Sequence, residues 1–144
     1  MSGDDQLSAM FGVWEGDEEL SATAWTDAGK ARGAISIQAG PGGGLSLDYA
    51  EDRDGVTMTG HGVVFGDGWW WFDSYGFTPT EPGTAEWRDN ELVLTRRSGR
   101  GRTVTVLRIR DERLEQEIDT AVPADGPLAP LLRGTYMRKD APAE

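Results

Sequence analysis

Turn-forming clusters punctuate this chain roughly every 8 to 12 residues, and that rhythm constrains the fold more than any other feature. They include Ala39-Gly40-Pro41-Gly42-Gly43-Gly44, Asp52-Arg53-Asp54-Gly55, Gly66-Asp67-Gly68, Asp89-Asn90 and Asp111-Glu112. The segments between them alternate apolar and polar residues, as half-buried strands do. The spacing predicts ten strands, over 13–25, 32–38, 45–51, 56–65, 69–75, 84–88, 91–97, 102–110, 113–120 and 133–139. Longer Pro-rich loops interrupt them at 78–82 and 122–130. Before the first strand, Leu7, Met10 and Phe11 have helical spacing, so residues 1–10 read as a short helical lid or plug. Residues 140–144 read as a flexible tail.

Short turns make neighbouring strands antiparallel, because parallel strands need long crossovers. A ten-strand meander leaves two bare edges unless it closes. Glu15, Asp17 and Glu19 share one face of the first strand, and Arg133 and Lys139 share one face of the last. Pairing first with last sets acid beside base and closes an up-and-down antiparallel barrel. Turn lengths then fix a register. They set Trp87 opposite Leu92, Ala85 opposite Leu94, Leu94 opposite Thr105, Leu92 opposite Leu107, Ile109 opposite Leu114, and Leu107 opposite Gln116. One inner row results, with Arg108, Arg110, Glu115, Glu117 and Asp119 outside.

The 144 residues suit one all-β domain over 1–144. There is no Cys, so disulfides and thiolate chemistry are excluded. No basic-then-apolar leader opens the chain, and no window reaches the roughly 18 apolar residues of a membrane span. The expected location is the cytoplasm. A net charge of −11 repels nucleic acid and anionic membranes.

Gly12-Val13-Trp14 opens the first strand, and Arg138 closes the last after Gly134-Thr135-Tyr136. This resembles the calycins, the lipocalin and fatty-acid-binding-protein class. The resemblance implies that Trp14 closes the barrel floor and Arg138 packs across it. Gly60-His61-Gly62-Val63, followed by Trp69-Trp70-Trp71-Phe72-Asp73-Ser74-Tyr75-Gly76, resembles a calycin-like bacterial family of uncharacterised proteins with G-H-G-V and W-x-W-F-D-S motifs. The nitrobindins, a related ten-stranded group, bind haem through a His near the C-terminal strands. The single His here, His61, falls in the fourth strand, so no cofactor is expected.

Two registers compete where His61 sits. A three-residue turn, Gly66-Asp67-Gly68, sets His61 opposite Asp73 and Thr59 opposite Tyr75. Asp73 then fixes the imidazole tautomer, as a general base requires, and Tyr75 donates to a substrate oxygen. A straight count through the preceding turn instead places Met58 and Val64 inside and His61 outside. Trp69 and Trp71 share a face opposite to Trp70. An outward Trp is what a homodimer contact or a lid needs.

Arg96 lies on the inner row, where it anchors a ligand anion, snorkels to the rim, or pairs with Glu18. Trp71, Trp87, Leu94, Arg96, Thr105, Leu107 and Gln116 make up a mainly apolar candidate wall with few polar points. No P-loop, G-x-S-x-G or metal-spaced cluster occurs. The leading expectation is a barrel that binds a small hydrophobic molecule, aromatic or acyl, with no nucleic-acid or membrane partner. The alternative is a cofactor-independent cyclase or isomerase using His61, Asp73 and Tyr75.

Overall fold

Alternation of inward and outward side chains closes ten strands into one barrel in the computed structural model, which describes residues 7–23, 27–74, 81–98 and 101–139. The strands are β1 (Gly12–Leu20), β2 (Gly29–Ala39), β3 (Leu45–Arg53), β4 (Val56–Phe65), β5 (Gly68–Asp73), β6 (Gly83–Arg88), β7 (Glu91–Ser98), β8 (Gly101–Arg110), β9 (Arg113–Ala121) and β10 (Ala129–Arg138). Each pairs antiparallel with its sequence neighbour, and β1 pairs with β10 to close the ring. Closure leaves no bare outer edges on the meander.

The registers of β6 to β9 follow from their turns. Trp87 faces Leu92, Leu94 faces Thr105, Leu107 faces Gln116 and Ile109 faces Leu114. Two-residue turns with left-handed residues at Asp89 and at Asp111-Glu112 hold these hairpins. On the outer face Arg108 bridges Glu91 and Glu115, at 2.8 Å each, and also Glu117. At the closure Glu19 opposes Arg133 and Lys139 reaches Glu15 at 3.7 Å. Arg133 turns its guanidinium to β9 instead, 2.7 Å from Asp119.

The two ends of the barrel differ. One is a packed floor. A helical turn at 7–10 places Met10 against the core, and Trp14 Nε1 donates to the Met10 carbonyl at 2.9 Å. The Arg138 guanidinium lies 4.2 Å from the Trp14 ring centroid and donates to the carbonyls of Phe11 and of Ala9, the latter at 3.1 Å. Residues 1–6 and 140–144 of the expected plug and tail lie outside the described residues. The opposite end is the mouth, where β1 finishes at Leu20 and β3 at Arg53.

Register corrects one expectation. Gly66-Asp67 alone makes the β4–β5 turn, with Gly66 left-handed and Phe65 opposite Gly68. A two-residue turn at Asp54-Gly55 joins β3 to β4. His61 therefore opposes Phe72, and Gly60 opposes Asp73. The inner row of β4 is Met58, Gly60, Gly62 and Val64, with His61 on the outside. The reason is steric. A Cβ at Gly60 would collide with the Trp71 indole, and one at Gly62 with the Trp69 indole. The two glycines are the surface on which the indoles lie.

Candidate functional site

A cavity of about 310 Å³ opens inside the barrel toward the mouth. Its volume lies at the lower end of the range of small-molecule sites. Strands β3, β4 and β5 supply one wall, with Leu47, Tyr49, Glu51, Met58, Trp69 and Trp71. The Trp69 and Trp71 rings are stacked, with centroids 5.9 Å apart, and Tyr49 is tilted against Trp71 at 6.5 Å. Strands β7 to β9 supply the facing wall, with Leu94, Arg96, Thr105, Leu107, Gln116 and Ile118.

Six of the seven residues expected to bind a ligand meet here: Trp71, Leu94, Arg96, Thr105, Leu107 and Gln116. Trp87 does not line the cavity; it packs half-buried against the core. Trp14 and Arg138 sit at the floor, away from the lining. Trp70 points outward, over Gly68.

The expected acid–base trio does not assemble. The His61 Nδ1 lies 2.7 Å from Asp48 Oδ1 on the exposed outer face. Asp73 faces inward, where it lines the cavity and its Oδ2 accepts from Trp71 Nε1 at 3.0 Å. A single step of register separates them, because strand neighbours point to opposite faces. Tyr75 lies outside the described residues. Among the described residues, no group of three or more His, Asp or Glu side chains is arranged to hold a metal ion.

Arg96 does not pair with Glu18. Burial lowers its guanidinium from the usual range, and the charge of Asp73 works against that shift. Glu18 is fully buried and belongs to a polar cluster that the sequence reading did not assemble. The Tyr49 hydroxyl lies 2.8 and 2.7 Å from the two Glu18 carboxyl oxygens and 2.7 Å from Glu51 Oε2. The Tyr136 hydroxyl donates to Glu18 Oε2 and accepts from Gln116 Nε2 at 3.0 Å. Gly33 and Gly134 clear space for these groups; a Cβ at either would strike Glu18 or Tyr136.

Burial pushes the Glu18 carboxyl up to about 7, and its hydrogen bond to Glu51 pushes the same way. The hydroxyls of Tyr136 and Tyr49 pull in the opposite direction. Both phenols are themselves held well above their ordinary value, by burial first and then by the Glu18 charge. The signal for this cluster was present in the sequence. Glu18 shares the inward row of Trp14, and an acid on that row must find partners.

No family model and no curated protein matches the chain. The barrel does have a solved counterpart. It is similar in fold to the crystal structure of Rv2717c from M. tuberculosis. The TM-score is 0.67, and the match covers 97% of this chain and 99% of that one at 13% identity. At that identity the likeness extends to the fold alone. No helix among the described residues is long and apolar enough to cross a membrane.

Proposed function

We propose that this chain is a calycin-like binding module that holds a small hydrophobic molecule, aromatic or acyl, in its barrel. The cavity carries the reading. It has about 310 Å³ of space, a stacked indole pair on one wall, and leucines interrupted by a few convergent polar groups on the other. That composition is the usual one for small-molecule sites, where apolar area supplies affinity and isolated polar groups fix orientation. The volume is about twice the ~150 Å³ of an apolar cavity that admits benzene. It suits one or two fused rings or a short acyl chain.

The floor supports the same reading. Met10, Trp14 and Arg138 seal one end, so a ligand enters and leaves by the mouth. The net charge of −11 argues against a nucleic-acid partner, and a cysteine-free chain suits the cytoplasm. Native mass spectrometry of protein taken from its own host tests the proposal. The expected spectrum shows the chain plus one organic molecule of a few hundred daltons at most. A protein with no added mass, whose melting temperature no aromatic or acyl compound raises, contradicts it.

A further inference from the structure

The cluster beneath the indole wall holds one proton more than its side chains supply when both carboxyls are ionised. Tyr49 has a single hydroxyl hydrogen, yet its oxygen lies within hydrogen-bond distance of both Glu18 and Glu51. Three carboxyl oxygens, two of Glu18 and one of Glu51, lie within 2.8 Å of that one hydroxyl. Carboxylates only accept, so a hydroxyl with one hydrogen that contacts both carboxyls needs a second hydrogen, carried by one of them and donated to the Tyr49 oxygen. Tyr136 does not supply it, because its hydrogen goes to Glu18 while its oxygen accepts from Gln116.

The surroundings show why a proton fills this role. Among the described residues no Lys, Arg or His forms an ion pair with either carboxyl. The nearby cations are committed elsewhere. Arg96 on β7 sits in the field of Asp73 from β5, and Arg53 on β3 donates to the Asp27 carbonyl at 2.8 Å. The neighbouring strands β2 and β4 face the pair with Gly33 and Met58, which carry no charge. Glu51 is the member that lines the cavity, and Glu18 lies behind it.

Resting on the cavity reading above, we infer that the site selects a neutral ring-bearing molecule whose carbonyl-type oxygen accepts a hydrogen bond from the carboxyl that carries the extra proton of the Glu18–Tyr49–Glu51 cluster. The lining disfavours charged ligands of either sign. An anion meets Asp73, and a cation meets Arg53 and Arg96. A neutral acceptor takes that hydrogen over from the Tyr49 oxygen, while its ring lies along Trp69 and Trp71.

Such a ligand strips water from Glu51, and desolvation favours the uncharged carboxyl. Binding therefore requires the protonated pair, and affinity falls as that form is depleted. With Glu18 pushed up to about 7, affinity falls about a hundredfold from pH 6 to pH 9.

Quenching of tryptophan fluorescence by 2-acetylnaphthalene, 2-ethylnaphthalene and 2-naphthoate at pH 6, 7, 8 and 9 tests this. The ketone is expected to bind tightest at pH 6 and to weaken about a hundredfold by pH 9. The hydrocarbon should bind more weakly than the ketone at pH 6. Calorimetry with the ketone at pH 8, in two buffers of different ionisation heat, should show uptake of close to one proton. A Glu18→Gln/Glu51→Gln double variant should bind the ketone with no pH dependence over this range.

Ketone affinity constant within twofold from pH 6 to 9, proton release on binding, or naphthoate binding tighter than the ketone at pH 6 overturns the inference while leaving the cavity reading intact. Absence of binding by all three compounds at every pH overturns both.

Discussion

The Tyr49 hydroxyl sits 2.7 Å from Glu18 Oε2, deep in a barrel whose other buried groups are mostly apolar. Burial, with Glu51 close by, keeps a proton on Glu18 in the folded state against the pull of this hydroxyl and that of Tyr136. Glu18 is raised from 4.5 to about 7. A group raised on folding binds its proton more tightly in the folded chain. Its contribution is fully present below about pH 4.5, declines as pH rises, and is gone above about pH 7. The loss is on the order of 3 kcal/mol for a shift of this size. Urea unfolding at pH 5, 6, 7 and 8 should show stability falling across this range. Glu18→Gln, which keeps the shape and removes the titration, should flatten the profile.

The glycines of β4 make a second prediction. Gly62→Ala places a methyl group against the Trp69 ring, which is buried and stacked on Trp71. Overpacking at such a site costs about 1–3 kcal/mol. The near-ultraviolet circular dichroism of the indole pair should change with it. Denaturant unfolding measures the cost, and a variant as stable as the parent would show that the indoles do not rest on this strand.

At the floor, Trp14→Ala should be the more damaging of two truncations. It empties a fully buried indole site and leaves the Met10 carbonyl without its donor. Emptying such a site costs about 3–5 kcal/mol. Arg138→Ala removes the cation over the ring and two hydrogen bonds to the N-terminal segment, at an exposed position. Its cost should be smaller, about 1–2 kcal/mol. Thermal unfolding of the two variants ranks them directly.

His61→Ala is expected to change little. The imidazole is exposed and its partner Asp48 is exposed, so the pair is worth less than about 1 kcal/mol. Affinity for 2-acetylnaphthalene should match the parent within twofold in a fluorescence titration. A large loss would mean that His61 acts on the cavity through the strand.

What the sequence disclosed depended on turns. Asp89-Asn90 and Asp111-Glu112 admit one hairpin geometry each, so Trp87, Leu94, Leu107 and Gln116 could be assigned a face before any coordinates. Gly66-Asp67-Gly68 admits two geometries that differ by one residue, and that residue moves His61 from inside to outside. The inward glycines decide between them, because Gly60 and Gly62 have the small profile that Trp69 and Trp71 require. The Glu18 cluster was harder to see. Its members come from β1, β3, β9 and β10, and only the closed barrel brings Tyr49, Gln116 and Tyr136 to one acid.

The most direct test of a ligand-holding barrel follows the indole N–H resonances of the tryptophans by two-dimensional NMR while 2-acetylnaphthalene is added at pH 6. Trp69 and Trp71 line the cavity, Trp14 is sealed beneath it, and Trp70 faces outward. The account predicts large, saturable shifts for Trp71 and Trp69 and none for Trp14 or Trp70. Shifts confined to Trp70, or no saturable shift at Trp71 and Trp69, would contradict it.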